Sequence, residues 1–300
     1  MSFADSNKKL FMPYISATIL LFSVIIKNIL GKIYNFMIFD AHFHYAVCCS
    51  RNIFNLSNMP ENWYGLSCAH SMEEWNIQAH GGCHVFNAFG IHPQLVGQLS
   101  KSQIEEYKLF LENLAATGKL NAIGEAGFDL FTEEFKLHKN EQEEIWNFQL
   151  EVAAKYKLPI VVHCRKANDK LFEYAGQLKK LPAVLFHSFM GSLVEAESLI
   201  KRNINCFFSF GKQMMNNNKK VIDCVINLPI ENLLLETDGP FQTLKGEENT
   251  KPEDIITIYN AAWELRKSNV RNQLKEKDFE EFSNLIFNNG KALLSGINFL

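Results

Sequence analysis

In the segment Asp40-Ala-His42-Phe-His44 an acid and two imidazoles stand two residues apart, directly after the apolar pair Ile38-Phe39. An extended chain alternates its side chains, so this spacing points all three to one face. Two neighbouring imidazoles on one face can ligate a single divalent cation. Taken alone, the pair reads equally well as a polar strand end. Comparable donors recur, however, after four further apolar runs. Glu125 and Asp129 follow Asn121 to Gly124, and His163 and Arg165 follow Pro159 to Val162. His187 follows Ala183 to Phe186, and Glu236 and Asp238 follow Asn232 to Leu235. Singly, His163 or His187 would be a satisfied core histidine and Glu125 a paired acid. Their shared position at the ends of apolar runs is what makes them a set. The imidazoles of His42, His44, His163 and His187 with the carboxylates of Glu125 and Asp238 exceed what one tetrahedral ion requires. They predict two divalent ions sharing a carboxylate. Nitrogen-rich ligation suits Zn, Mn, Co or Ni, with Mg admitted when a substrate phosphate completes its shell.

Such donors must be held by a frame that brings many strand ends together. From Met37 onward short apolar runs alternate with longer helical stretches, the pattern of a parallel sheet with crossover helices. Candidate strands lie near Ile38-Phe39, Tyr64 to Cys68, His84 to Phe89, Asn121 to Gly124, Pro159 to His163, Ala183 to His187, Asn205 to Ser209 and Asn232 to Glu236. That number closes a (β/α)8 TIM barrel, whose C-terminal strand ends form the catalytic mouth. An open doubly wound sheet would need a glycine-rich turn after a strand, whereas Gly81-Gly82 precede one.

Helix boundaries agree with this frame. Ser100 with Gln103 and Ser192 with Glu195 fit capping boxes, Gly118 suits a helix stop and Pro252 a first turn. His138 to Lys157 reads as a long helix with a core face at Ile145, Phe148, Val152 and Tyr156. Helices around Asp254 to Arg266 and Asp278 to Asn288 would complete the barrel, and Asn216 to Lys220 reads as a solvated loop. His80, Cys83 and His84 cluster in sequence, yet at a strand's N-terminal side, away from the mouth.

Composition sets further bounds. With 30 basic and 33 acidic residues the formal charge is -3, which lacks the basic excess of a tight nonspecific nucleic-acid binder but leaves room for a local basic rim. The 7 cysteines are odd in number and form no CxxC pair, so they read as free thiols of a reducing compartment. Leu10 to Ile26 is almost wholly apolar after Lys8 and Lys9, but Pro13 interrupts it and Lys27 closes it. A membrane span needs about 20 apolar residues. Residues 1–36 are therefore read as a hydrophobic extension ahead of a functional start at Met37, with a membrane anchor through residues 10–26 or a packed helix as alternatives. Residues 37–300 form the barrel, and the location expected is cytoplasmic, or membrane-anchored if the apolar run inserts.

The ordered segments MIFDAHFH, FGIHPQ, AIGEAGFDL, PIVVHCRKA, HSFMGS and LLLETDGP resemble the TatD family of metal-dependent deoxyribonucleases, and the resemblance runs from about Met37 to the C-terminus. Phe148-Gln149-Leu150 fits the same pattern. The resemblance implies that His42, His44, Glu125 and Asp238 hold one metal and that Glu125, His163 and His187 hold the second, with Glu125 bridging. It also implies phosphodiester hydrolysis of DNA, single-stranded or end-frayed, with water deprotonated between the metals and Asp238 assisting as proton acceptor. Arg165, which shares a face with His163, is assigned to orienting phosphate. His92, in Gly90-Ile-His92-Pro93, either donates to the same phosphate or fixes its loop.

Departures from the family pattern bear on the substrate. Where the family usually carries an arginine after strand eight, this chain reads Gly246-Glu-Glu-Asn-Thr-Lys-Pro252, and HSFMGS stands where HCFSGS is common. Val47 to Trp63 is unlike the usual segment and reads as a lid or a divergent loop. The acids motivate an alternative in which the same site hydrolyses a small phosphoester, amide or lactone. A catalytically silent scaffold is a third reading, opposed by the complete ligand set. No obligate protein partner is expected.

Overall fold

The computed structural model describes residues 36–268 and 276–295. Among them, eight parallel strands pair in chain order. They are β1 (Ile38–Phe43), β2 (Trp63–Ala69), β3 (Val85–Phe89), β4 (Ala122–Asp129), β5 (Ile160–Arg165), β6 (Val184–Phe186), β7 (Cys206–Phe210) and β8 (Leu233–Leu235). Just past the strand ends, the Asp238 N–H donates to the His42 carbonyl at 2.9 Å and the His44 N–H to the Gly239 carbonyl at 2.8 Å. These bonds bring β8 back to β1, and the sheet curls into the (β/α)8 barrel that the alternation predicts.

All eight expected strands form, and β1, β4 and β5 run further than their apolar runs suggest, β5 reaching Arg165. The first extends through the polar residues to Phe43, and its register against β2 shifts between Asp40 and Phe43, so that three steps on β1 answer two on β2. Such a bulge re-aims the side chains beyond it. The fourth continues past Gly124 to Asp129. It can do so because β4 and β5 approach too closely for a side chain: a Cβ on Gly127 (φ +141°) would lie 2.1 Å from the His163 carbonyl oxygen.

Both capping boxes form, at Ser100/Gln103 and Ser192/Glu195. The long helix spans Lys139–Tyr156, and its buried face carries Ile145, Trp146, Leu150, Val152 and Ala153, with Phe148 and Tyr156 at its half-buried margin. Helix Lys101–Ala116 stops just before Gly118, whose φ is +66°. Pro252 opens a 3-10 turn that runs into helix Ile255–Lys267, and the last helix is Phe279–Leu293. One expectation changes. Asn216 to Lys220 is only half loop, because the Asn218 side chain accepts from the N–H groups of Lys220 and Val221 and so caps a helix that starts at Lys219.

The core is rich in buried aromatic side chains, with Phe39, Trp63, Phe89, Phe186 and Phe208 each less than 2% exposed. Each such burial contributes about 2–3 kcal/mol, which is what fixes the strand ends in place. The Val47 to Trp63 segment packs onto this core rather than standing clear of it: Phe54 stacks on Phe43 with ring centroids 6.2 Å apart. All seven cysteines are free. Among the described residues no helix is long and apolar enough to cross a membrane. The apolar run at residues 10–26, with its three readings, lies outside the described residues.

Candidate metal centre

At the C-terminal ends of the strands the barrel gathers donors from β1, β4, β5, β6 and the turn after β8. His42, His44, Glu125, His187 and Asp238 are all buried, and His163 is nearly so. The Glu125 carboxylate lies at their centre, and its two oxygens face different partners. Oε1 lies 3.3 Å from His42 Nε2 and 3.4 Å from His44 Nε2. Both imidazole nitrogens also approach Asp238 Oδ1, at 3.5 and 3.3 Å. On the other side, Oε2 lies 2.6 Å from His187 Nε2 and 3.3 Å from His163 Nδ1. All six residues read from the sequence as ligands thus meet in one place, divided between the two oxygens of a single carboxylate.

The outer nitrogens say which ring atoms are free to ligate. His44 Nδ1–H donates to the Cys68 carbonyl at 3.2 Å, leaving its Nε2 as a lone pair aimed inward. His163 Nε2–H donates to Asp129 Oδ2 at 3.1 Å, leaving Nδ1 inward. His92 is oriented the other way. Its Nδ1 accepts from the Gln94 N–H at 3.1 Å, so its Nε2 carries the proton. That N–H points into the site, 3.2 Å from His163 Nδ1 and 3.6 Å from Glu125 Oε2. His92 thus turns its N–H toward the centre while its other ring nitrogen holds the loop at Gln94.

Charge is arranged to match. Burial alone would raise the Glu125 carboxyl, yet the imidazoles of His187, His42 and His92 hold it well below its usual range. Burial would likewise raise Asp238, and hydrogen bonds to His42 and His44 pull it down. Burial lowers His187 to about 4 and, with the neighbouring His163, lowers His92 to about 3. Against burial, which lowers both, the neighbouring carboxylates raise His42 well above its usual range and His163 to about 9, so a divalent cation bound here would have to displace their protons. His42 and His44 bring their Nε2 atoms to 3.2 Å of each other beside Glu125 and Asp238, and the His42 Nδ1 is buried without a partner, so the donor set is that of a cation site. The residues present therefore fit the metal.

Several supporting residues escaped the sequence reading. His70, directly after β2, brings Nε2 to 2.9 Å from Glu125 Oε1. Its signal was available, an imidazole immediately past an apolar run, but without a second donor beside it. Gln242 donates to Asp238 Oδ2 at 2.7 Å, and Gln94 to Asp129 Oδ2 at 2.7 Å. Asp238 itself sits at φ +51°, a conformation that costs a non-glycine residue roughly 1–3 kcal/mol and that clusters at functional sites. Asp40 does not join the donors. Its carboxylate turns to Thr237 instead. Arg165 lays its guanidinium on the Phe131 ring, with Cζ 3.6 Å from the centroid. His80 and His84 bond to the carbonyls of Asn76 and Trp63 and stand apart from the centre, as their place before β3 implies.

The acids after β8 are also accounted for in part. Glu247 Oε2 pairs with the buried Lys212 ammonium at 2.6 Å, and Asp254 Oδ2 pairs with the same group at 2.8 Å.

Comparison with known proteins agrees with this geometry. Residues 39–295 match the family model described as TatD related DNase. An uncharacterized metal-dependent hydrolase, YjjV, from Escherichia coli is 32% identical over 188 residues, 61% of this chain and 70% of that protein. A protein from Escherichia fergusonii named 3'-5' ssDNA/RNA exonuclease TatD is 30% identical over 159 residues, 53% of this chain and 59% of that one. The crystal structure of the Escherichia coli YjjV protein superposes with a TM-score of 0.72 at 24% identity, covering 85% of this chain and 97% of the other. The chain belongs to the TatD-related DNase family and is a metal-dependent hydrolase.

Proposed function

We propose that the protein is a deoxyribonuclease that hydrolyses phosphodiester bonds of single-stranded or end-frayed DNA at a two-cation centre held by His42, His44, Glu125, His163, His187 and Asp238. The observation that carries this reading is the division of ligands between the two oxygens of Glu125, which suits one carboxylate bridging two ions. Divalent cations bound there supply Lewis acidity, which neutralises a phosphate oxygen and acidifies water.

The chain's own groups do the rest. Asp238 Oδ2 is held by Gln242 while Oδ1 faces His42 and His44, which supports a role for this carboxylate in accepting the proton of an attacking water. His92 Nε2–H lies where it can donate to a non-bridging phosphate oxygen. Arg165 adds positive charge at the same rim, fitting a role in orienting phosphate. The Escherichia fergusonii relative, named for single-stranded DNA and RNA, supports the choice of a single-stranded substrate. Of the two acids that stand where the family usually carries an arginine, Glu247 has its charge answered by Lys212. We assign no part in this chemistry to residues 1–36, since every group invoked lies at or beyond Asp40.

The test is degradation of single-stranded DNA by protein beginning at Met37, titrated with Mg, Mn, Co and Zn, beside Glu125→Ala. Metal-dependent cleavage lost in the variant is expected. Cleavage that survives Glu125→Ala would sink the proposal, and a folded, metal-loaded protein that cuts small esters and no DNA would redirect it to the small-substrate hydrolase.

A further inference from the structure

Among the described residues the two most exposed phenylalanines are Phe131 (49%) and Phe241 (45%). A single exposed ring needs no explanation, but an exposed ring tied to each side of the centre offers a face on which a base can stack. Phe131 lies two residues beyond the end of β4, and its N–H donates to Asp129 Oδ1 at 3.0 Å. The other oxygen of Asp129 holds His163, so this ring is tied to the Oε2 side of Glu125. Phe241 lies three residues beyond Asp238, and its N–H donates to the Asp238 carbonyl at 2.7 Å. Its ring meets the His44 ring edge to face, with centroids 5.1 Å apart, which ties it to the Oε1 side.

Each ring also carries an arginine. Arg165 Cζ lies 3.6 Å from the Phe131 centroid. Arg51 Cζ lies 5.7 Å from the Phe241 centroid and is held there by a 2.6 Å bond from Nη1 to Asn249 Oδ1. The two sides of the centre therefore end in the same device, an exposed ring paired with a guanidinium. Nucleic-acid bases stack on such rings whatever their identity, while the arginine meets the adjoining backbone phosphate. A guanidinium so placed does not fit a small neutral amide or lactone.

We propose that Phe131 with Arg165 and Phe241 with Arg51 are two base-stacking platforms that seat the nucleotides on either side of the scissile phosphate of a single-stranded nucleic acid. The inference rests on the DNase reading for the phosphate between them, and it adds what holds the strand. Stacking requires unpaired bases, so the platforms select a single strand over a duplex. They make binding depend on the presence of bases and little on which bases they are.

The experiment is fluorescence anisotropy on the metal-loaded protein with a fluorescein-labelled oligothymidylate, phosphorothioate-linked to hold turnover off, and with an otherwise identical abasic oligomer. The native protein is expected to bind the oligothymidylate roughly 25-fold or more tightly than the abasic strand, about 5-fold from each platform. Phe131→Ala and Phe241→Ala should each lose its own share, about 5-fold, without weakening abasic binding, and Phe131→Tyr and Phe241→Tyr should restore it. Both rings are exposed, so the alanine variants leave the core intact. Equal binding of the two oligomers, no binding of either, or alanine variants that bind like the native protein would overturn the platforms. Cleavage of an unmodified strand is scored separately. Base-dependent binding without cleavage supports the platforms and counts against the DNase reading, whereas cleavage with base-independent binding overturns the platforms alone.

Discussion

Thr237 donates both its backbone N–H and its hydroxyl to the carboxylate of Asp40, at 2.9 and 2.6 Å, joining the end of β8 to β1. Asp40 stands two residues before His42, and Thr237 one residue before Asp238, so this pair sets how ligands from opposite ends of the chain meet. Asp40→Ala leaves the buried Thr237 N–H without an acceptor, which costs about 1–3 kcal/mol. The expected result is a lowered urea midpoint together with weaker cation binding. Asp40→Asn retains an acceptor for the N–H and should recover most of both, so an asparagine variant as damaged as the alanine would contradict this role.

Asp129 offers a second test, at one remove from the cations. Its Oδ2 takes the His163 Nε2–H and so leaves Nδ1 turned toward Glu125. Removing a partner of that kind weakens metal affinity by roughly 10–100-fold. Asp129→Ala should show that loss in isothermal titration with Zn or Mn while its far-ultraviolet circular dichroism stays unchanged. Unaltered affinity would mean that His163 is oriented by something else.

Gly127 is where the extension of β4 depends on the lack of a side chain. A Cβ there would stand 2.1 Å from the His163 carbonyl oxygen, whereas one at Gly118, also at positive φ, would meet nothing within 4 Å. Gly127→Ala is therefore expected to cost about 4 kcal/mol or more, as a backbone clash in a core strand does. Gly118→Ala should cost only about 1–2 kcal/mol for its left-handed conformation. Chemical denaturation of the two variants side by side reads the difference directly, and equal costs would mean that β4 and β5 separate easily.

The barrel was legible because its apolar runs are short and interleaved with helical stretches, so that even the β8 run of three leucines, Leu233–Leu235, which lacks the β-branched residues of Ile160 to Val162, stands out as a strand. The six candidate ligands were legible as a set because each follows an apolar run, and the fold brings them together. What stayed hidden depends on contacts between distant segments. Nothing near Asp40 in sequence announces Thr237, so the acid looked like a third donor rather than a clasp. Gln94 and Gln242 are neutral amides in loops, with no spacing that marks them, and only the fold places them against Asp129 and Asp238. The acids after β8 looked available from the sequence, until the fold brought Lys212 from the turn after β7 against Glu247.

The central claim is that one carboxylate, Glu125, bridges two cations. The most direct measurement is metal stoichiometry after equilibrium dialysis, by inductively coupled plasma mass spectrometry, on the native protein and on Glu125→Gln, which keeps the side chain's volume and removes its charge. The account predicts two ions per native chain, with the glutamine variant losing at least one of them and its DNA cleavage together. A single ion in the native protein, or two ions retained when Glu125 carries no charge, would contradict it.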